Sequence, residues 1–311
     1  MDISVVIPVR DEEGNIPALH QRLKSSLKNL KVSYEVIFVT DINRDNTFAA
    51  LQELNKKDKD FKVIKLSNSY GQHVAVIAGL EKCSGKSIVI MDGDLQDYPE
   101  DIEKLYNKQR EGFDIVYGVK EKKNDSFMRN VFSKTFVYII NLLSDVKTDY
   151  NTSMFRIISK RTRDEILRFE ERQPSLVFIM SLIGFPSASV MVTSGERETG
   201  ESKYSFMSLV NLAMSMLLSF STKPIRLISY LGFIFSLLSF LYFIFTLVSR
   251  YLLNITVPGW ATIIALITLL GGLQLFSIGV IGEYIARVFI ESKRRPLYII
   301  DKEVGKFKER K

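Results

Sequence analysis

The chain has 311 residues, a formal net charge of +7 and an apolar fraction of 46%. This length suits one large α/β domain and leaves room for a smaller second part. Its single cysteine, Cys83, excludes an internal disulfide and indicates a reducing compartment. The chain opens directly on a strand pattern, without a cleavable signal peptide, so we expect its first part to stay in the cytoplasm.

Strand and helix patterns alternate along the first 120 residues. Short apolar or β-branched runs predict five strands, and amphipathic stretches between them predict helices. The strands are SVVIPV, YEVIFVT, KVIKL, SIVIM and DIVYG, and the helices cover about 12–30, 47–57, 71–82 and 99–111. Such alternation favours an α/β fold with a mostly parallel sheet that is covered on both faces.

Polar motifs follow three of the predicted strands at the point where each strand ends. PVRDEE follows the first strand, TDINRDNT the second and DGDLQD the fourth. Ligands of such sheets bind beyond the carboxyl ends of the strands, so we expect the motifs to converge on one site. The sequence has neither a GxGxxG nor a GxxxxGK(S/T) motif, so nothing supports dinucleotide or P-loop ATP binding.

The DGDLQD motif has the composition of a site for a hard divalent cation. Asp92 and Asp94 flank a glycine directly after an apolar strand, and Gln96 follows two residues later. Carboxylate and amide oxygens are ligands that suit Mg²⁺, which keeps water or phosphate oxygens in its other positions. A cation held there would neutralise charge on a departing nucleotide diphosphate.

Residues 204–290 are mostly apolar and predict a membrane-associated part. The run 227–249 holds 23 residues without a charge, which at about 1.5 Å per residue spans a hydrocarbon core of roughly 30 Å. A second uncharged run covers about 260–281, and the short link between the two predicts a transmembrane hairpin. Residues 204–224 mix apolar residues at helical spacing with Ser and Asn, which predicts an interfacial amphipathic helix.

Positive charges flank the predicted hairpin at its outer ends. The link between the spans carries only Arg250. The outer ends carry Lys223, Arg226, Arg287, Lys293, Arg294 and Arg295. The positive-inside rule therefore puts both termini in the cytoplasm. From Glu283 to Lys311, nine Lys/Arg face five Asp/Glu, and near a membrane such a tail indicates anionic lipid rather than nucleic acid as the partner.

The composition of the two spans favours an anchor over a transporter. Gln274 and scattered Ser/Thr are their polar residues, whereas transporters need ionisable or interrupted segments near the midplane. Glycines in the second span permit close helix packing and predict a homo-oligomer. They are Gly271, Gly272, Gly279 and Gly282.

Motifs along nearly the whole chain resemble those of glycosyltransferase family 2, and within it the polyprenyl-phosphate glycosyltransferases. These include dolichyl-phosphate mannose synthases and bacterial enzymes that make undecaprenyl-phosphate glucose or aminoarabinose. The similar segments are SVVIPVRDEEGNI, VTDINRDNT, SNSYGQHVAVIAGL, MDGDLQDYPE, MFRIISKR and RETGESKYSF. The resemblance implies the GT-A nucleotide-sugar transferase fold and transfer that inverts the anomeric centre.

The resemblance also implies roles for individual residues. Pro8, Arg10, Glu12 and Asp41 would line the base and ribose pocket, and Asp92 would position the nucleotide-sugar. Asp94 and Gln96 would hold Mg²⁺ or Mn²⁺. Lys120, Arg129, Ser133, Arg197 and Lys203 would bind the donor diphosphate or the acceptor phosphate, whose mutual repulsion requires cations. Asp92, Asp94, Arg129, Arg197 and Lys203 would act in the transfer itself, although Arg129 also fits an ordinary solvated charge.

The sequence departs from the family pattern at several of these positions. Thr40 replaces an acidic residue, and residues 42–44 (Ile-Asn-Arg) replace a small turn. Arg10 stands where an aromatic residue is usual, and Lys120 where arginine is usual. Met154 stands where bacterial glucosyl enzymes often carry Asp. An anionic phosphate needs no base to attack C1, so this loss favours a phosphate nucleophile, and Asp149 remains a substitute base.

These observations predict a cytoplasmic catalytic domain over 1–203, an interfacial helix over 204–224, a transmembrane hairpin over 225–290 and a basic tail over 291–311. We expect transfer from a nucleotide-sugar, UDP-linked before GDP-mannose, to a polyprenyl phosphate at a bacterial cytoplasmic membrane. Two alternatives stay open. One is a polysaccharide-building enzyme of the same superfamily, although the sequence lacks a QxxRW element. The other is a non-catalytic scaffold that binds nucleotide-sugar or lipid.

Overall fold

The computed structural model describes residues 1–120, 152–172, 174–193, 223–251 and 259–307. These residues belong to two compact units. The first unit contains the described residues up to 193 together with 295–307. The second contains 223–251 and 259–294.

The described strands and helices alternate through the first unit, and two long helices make up the second. The strands are β1 (Ile3–Val9), β2 (Tyr34–Thr40), β3 (Phe61–Leu66), β4 (Ser87–Ile90), β5 (Ile115–Lys120), β6 (Thr152–Ser159), β7 (Ser187–Val192) and β8 (Ile300–Val304). The helices of the first unit are α1 (Ile16–Asn29), α2 (Thr47–Lys57), α3 (Gln72–Lys82), α4 (Ile102–Gln109), α5 (Lys160–Ile166) and α6 (Leu176–Ile183), with a short 3₁₀ turn at Pro99–Asp101. Those of the second are α7 (Lys223–Tyr251) and α8 (Trp260–Ser292).

All eight strands form one sheet in the order β7-β5-β6-β4-β1-β2-β3-β8. The central strands β4, β1, β2 and β3 run parallel, as do β5 and β7. β6 is antiparallel to both β4 and β5, and β8 is antiparallel to β3. The predicted α/β architecture with a mostly parallel sheet is confirmed, and the antiparallel members make the sheet mixed.

Both faces of the central strands are buried, and successive side chains of each strand belong to opposite faces. On β1, Val5 and Ile7 belong to the core that includes α1, whereas Val6 belongs to the core that includes α3. Gly79 lets α3 lie directly on the sheet, since a Cβ at this position would collide with Val6. The two cores fix the strands, so the loops at their carboxyl ends start from rigid positions.

The C-terminal segment contains a strand that the sequence analysis does not predict. Residues 300–304, assigned there to a basic tail, form β8 along the edge of β3. Lys65 pairs with Asp301 (Nζ–Oδ2 3.0 Å) and Lys82 with Glu303 (Nζ–Oε1 2.6 Å). The strand is short and mostly charged, so no apolar alternation marks it in the sequence.

The described part of the second unit consists of the two helices expected as a hairpin, and α7 and α8 contact each other. Within the described residues, one segment, Leu269–Ser292, is long and apolar enough to cross a membrane by length and composition. It begins later than the predicted second span, 260–281. The first predicted span, 227–249, lies within α7 but does not meet the same criterion, so the two-span hairpin stays a prediction. The predicted interfacial helix lies almost wholly outside the described residues.

Candidate functional site

The loops after β1, β2 and β4 border one cleft at the carboxyl edge of the parallel strands. The register pairs Val9 of β1 with Thr40 of β2, so the residues that follow them, Arg10 and Asp41, are neighbours. The cleft has a volume of about 380 Å³, within the range usual for small-molecule sites. Residues expected at the site that line it are Pro8, Arg10, Glu12, Asp41, Asp92 and Asp94. The expected convergence of the three motifs is therefore observed.

At one end of the cleft, Ser69 joins Arg10 to Asp41. Arg10 Nη1 donates to Ser69 Oγ at 2.9 Å, and Ser69 Oγ donates to Asp41 Oδ2 at 2.7 Å. Arg10 Nε lies 3.8 Å from Asp41 Oδ1, and the aspartate is only 8% exposed. Sequence reasoning missed Ser69, although it follows β3 and therefore lies at the same edge of the sheet as the other motifs. The serine hydroxyl fixes the orientation of both charged side chains.

Hydrogen bonds between the β1–α1 and β2–α2 loops account for part of the unusual turn at residues 42–44. The Asp11 N–H donates to Asn43 Oδ1 at 3.2 Å, and the Arg44 N–H donates to Asp11 Oδ1 at 2.6 Å. The Glu12 N–H donates to Thr47 Oγ1 at 2.9 Å. Asp11 has a φ of 56°, a left-handed conformation that costs a non-glycine residue energy and that these contacts offset.

Thr40, the other departure in this motif, also serves the loop rather than the cleft. It is fully buried, and its Oγ1 accepts a hydrogen bond from Asn43 Nδ2 at 2.8 Å. The Arg44 side chain is exposed, and nothing in the structure explains why arginine stands there.

Asp92 carries a perturbed carboxyl group on the wall of the cleft. Burial first of all, and then the nearby Asp97 and Asp94, raise its pKa to about 7. Gln72 Nε2 donates a hydrogen bond to Asp92 Oδ1 at 2.5 Å, which favours the ionised form and partly opposes the rise. A cation or a hydrogen-bond donor that binds here would interact more favourably with the Asp92 carboxylate than with a solvated carboxylate.

The turn after β4 brings Asp94 and Gln96 together, as a cation site requires. Asp94 Oδ1 accepts from the Gln96 N–H at 3.1 Å, and Gln96 Nε2 donates to Asp94 Oδ2. Nowhere in the described ranges do three His, Cys, Asp or Glu side chains converge in a way that could hold a metal. A cation between these two residues would need the Gln96 amide turned so that its oxygen faces the ion, and it would take further ligands from water and phosphate. The two residues fit such a shared site.

Lys120 at the end of β5 contacts the same turn through Asp97. Lys120 Nζ lies 3.0 Å from Asp97 Oδ1. The Asp92 N–H donates to Asp97 Oδ2 at 3.1 Å, and Asp97 is only 1% exposed. Sequence reasoning missed Asp97, although it is the last residue of the DGDLQD motif.

A buried guanidinium lies on β6, which separates β4 from β5. Arg156 is fully buried, its Nε donates to the Met154 carbonyl at 3.2 Å, and its guanidinium carbon lies 5.3 Å from the ring centroid of Tyr117. Burial lowers the pKa of Arg156, while Tyr117, Asp92 and Asp97 oppose that shift. Met154 places its sulfur 3.8 Å from Arg156 Nη2. The positive charge therefore offsets part of the acidity of the turn after β4.

The remaining predicted site residues are not among those that the structure describes. Arg129, Ser133, Arg197 and Lys203 lie outside the described ranges, as does Asp149. Their expected roles at the acceptor phosphate stay predictions.

The family model of glycosyl transferase family 2 matches residues 4–172, more than half of the chain. The chain belongs to this family. It is a glycosyltransferase, so the scaffold alternative is set aside. A second family model, the GtrB C-terminal hairpin, matches residues 223–288, which include α7 and most of α8.

Curated relatives match almost the full length of this family 2 chain. It is 35% identical to an uncharacterized glycosyltransferase, YkcC, of Bacillus subtilis over 97% of this chain and 94% of the relative. It is 33% identical to the undecaprenyl-phosphate 4-deoxy-4-formamido-L-arabinose transferase of Proteus mirabilis, again over 97% of this chain and 94% of the relative.

The fold is also found among solved structures. Glucosyl-3-phosphoglycerate synthase from Mycobacterium tuberculosis, crystallised with Mn²⁺, uridine diphosphate and phosphoglyceric acid, matches with a TM-score of 0.51. The match covers 70% of this chain and 78% of that one at 18% identity. At this identity the likeness shows the fold alone, which is GT-A-like as the resemblance implied.

Replacing Ser69 by alanine should weaken nucleotide binding. The change removes two hydrogen bonds to charged side chains and lets Arg10 and Asp41 move independently, so we expect uridine diphosphate to bind about five- to twentyfold more weakly. Isothermal titration calorimetry with the full chain measures this loss. Ser67→Ala is the matched control, since the Ser67 hydroxyl contacts Tyr70 at 3.1 Å instead. An equal loss of affinity in both variants would contradict the role of Ser69 in orienting Arg10 and Asp41.

Proposed function

We propose that the protein transfers a sugar, with inversion, from a UDP-linked donor to undecaprenyl phosphate at the cytoplasmic face of a bacterial membrane. The observation that carries the proposal is the joining of two parts in one chain. A GT-A-like unit with a carboxylate-lined cleft is followed by helices that match the GtrB hairpin. The relative from Proteus mirabilis, whose name states an undecaprenyl-phosphate acceptor, matches across both parts.

The cleft suits a nucleotide-sugar whose base lies near Asp41 and whose diphosphate lies near Asp94. The Arg10–Ser69–Asp41 group offers a fixed carboxylate and a guanidinium to the base and ribose, alongside Pro8 and Glu12. Asp92, held by Gln72, positions the sugar-bearing end. The cleft thus separates a recognition end from an acidic end where the reaction takes place.

Asp94 and Gln96 are the residues that would hold Mg²⁺ or Mn²⁺ in this proposal. Bound there, the cation would offset the charge that develops on the diphosphate as it departs. Gly93 lets this turn lie close to β1, because a Cβ at that position would come 2.5 Å from Val9. The chain's contribution is therefore a turn held rigidly at the end of a buried strand.

The acceptor in this proposal is a phosphate oxygen, which attacks C1 from the face opposite the leaving diphosphate. A phosphate monoester is anionic at neutral pH, so no side chain has to remove its proton. Met154 stands where, by the resemblance, bacterial glucosyl enzymes often carry Asp, and its lack of a carboxylate fits an acceptor that needs no base. We assign the acceptor phosphate to Arg129, Ser133, Arg197 and Lys203, which lie outside the described residues.

The surface of α8 favours a membrane as its environment. Leu275 is 72% exposed, and Phe276 and Val288 are exposed to a similar degree. Such a continuous apolar surface is costly in water and stable in lipid. We propose that α7 and α8 form a two-span hairpin with both termini in the cytoplasm, so that the enzyme meets its lipid acceptor without extracting it from the bilayer.

A homo-oligomer is part of the proposal. Gly271, Gly272, Gly279 and Gly282 of α8 have open space beside them among the described residues, so another helix could approach there. A mass measurement in detergent tests this, and a protein found only as a monomer contradicts it.

Asp94→Ala should abolish transfer to lipid. Loss of a cation ligand removes several kcal/mol of charge stabilisation, so we expect at least an ~100-fold lower rate. Radiolabelled sugar that enters the organic phase with undecaprenyl phosphate and Mg²⁺ is the readout. Glu53→Ala, which removes an exposed carboxylate paired with Lys56 on α2, should keep full activity. Transfer only to a glycan would overturn the lipid acceptor and favour the polysaccharide-building alternative.

The membrane orientation can be tested with introduced cysteines. Cys83 is buried, and burial raises its pKa to about 11, so it reacts poorly with maleimides. In intact spheroplasts, an impermeant maleimide should label the Ile255→Cys protein, whose new thiol lies between the two helices in sequence. The Lys306→Cys protein should react only after permeabilisation. The reverse pattern would contradict the proposed orientation.

A further inference from the structure

Asp97 and Lys120 form an ion pair beside the cleft, and the proposed function gives Asp97 no role. Both oxygens of Asp97 are engaged by different elements: Oδ1 lies 3.0 Å from Lys120 Nζ, and Oδ2 accepts the Asp92 N–H at 3.1 Å. Asp97 thereby fastens the end of β5 to the first residue of the acidic turn after β4. A carboxylate that is 1% exposed makes such contacts with little competition from water.

Lysine needs such an anchor more than arginine does. Its ammonium is a point charge on a flexible four-carbon stem, whereas the guanidinium is a planar group that is already organised for phosphate. The contact with Asp97 restricts the rotamers of Lys120. The ammonium lies 3.0 Å from Asp97 Oδ1 as an ion pair, and its N–H groups can also donate to a phosphate oxygen.

The charge of Lys120 acts on the cleft itself. Its ammonium pairs with Asp97, whose other oxygen accepts the Asp92 N–H, so the positive charge is held beside the turn that carries Asp92 and Asp94. A diphosphate entering beside Asp92 and Asp94 adds negative charge to a region that is already acidic. A fixed ammonium at this point would offset part of that repulsion.

We propose that Asp97 is a positioning residue that holds Lys120 against the donor diphosphate and fixes the start of the Asp92–Asp94 turn. The inference rests on the proposed function, because it assumes a diphosphate-bearing donor in the cleft. Asp97 itself does not touch the donor, so its substitution affects diphosphate binding through Lys120 and leaves recognition of the base unchanged.

The decisive variant is Asp97→Asn in the full chain. Its amide oxygen can still accept the Asp92 N–H, while its NH₂ group faces Lys120 and no longer attracts it. With Mg²⁺ present, we expect affinities for uridine diphosphate and inorganic pyrophosphate to fall about five- to twentyfold. Affinity for uridine, which has no phosphate, should change less than about twofold. Glu111→Gln, which frees Lys108 from an exposed pair of the same type (2.6 Å), should change none of them.

Lys120→Met removes the other partner of this ion pair, which is partly exposed. It should cause the same loss of affinity for pyrophosphate. If the two residues act as one unit, the double variant should bind pyrophosphate no more weakly than Lys120→Met alone. Additive losses, an equal loss for uridine, or tighter pyrophosphate binding in Asp97→Asn would overturn the inference.

Pyrophosphate separates this inference from the proposed function. If the unaltered chain binds pyrophosphate but neither uridine nor its diphosphate, the UDP-linked donor is wrong, and the pyrophosphate comparison still decides the role of Asp97. If the unaltered chain binds no pyrophosphate, or if Lys120→Met leaves that affinity unchanged, the inference is wrong.

Discussion

The structure depends on a concentration of negative charge at the carboxyl edge of its central strands. Asp92, Asp94 and Asp97 lie in one turn within a segment of six residues, and Asp41, which follows β2, lines the same cleft. Burial and, after it, the neighbouring carboxylates disfavour the ionised form of Asp92 and raise its pKa. The arrangement is stable because cations and hydrogen-bond donors are built around it, and the same arrangement gives a divalent cation and a diphosphate a reason to bind.

The surrounding elements supply those partners from separate parts of the chain. Lys120 arrives on β5, and the buried guanidinium of Arg156 arrives on β6, which is antiparallel to both neighbours. The strands β5 and β6 therefore place two positively charged side chains near the acidic turn. Gln72 at the start of α3 and Ser69 before it orient Asp92 and Asp41. Asp92 and Asp41 are therefore held by partners from outside their own loops.

Sequence patterns were sufficient for the first five strands and for six of the residues that line the cleft, because apolar runs and the motifs that follow them are local signals. They were not sufficient for β8, whose charged residues pair with Lys65 of β3 and Lys82 of α3. Ser69 and Asp97 were missed for a related reason. Their importance comes from contacts with residues distant in sequence or on another strand, and no periodicity reports such contacts.

The central claim is a single displacement in which a lipid phosphate attacks the sugar while the nucleotide diphosphate departs. The most direct measurement is the anomeric configuration of the lipid product, read by NMR from a donor with ¹³C at C1. The account predicts a sugar joined to undecaprenyl phosphate with the configuration opposite to that of the donor. A lipid product that retains the donor's configuration would contradict it.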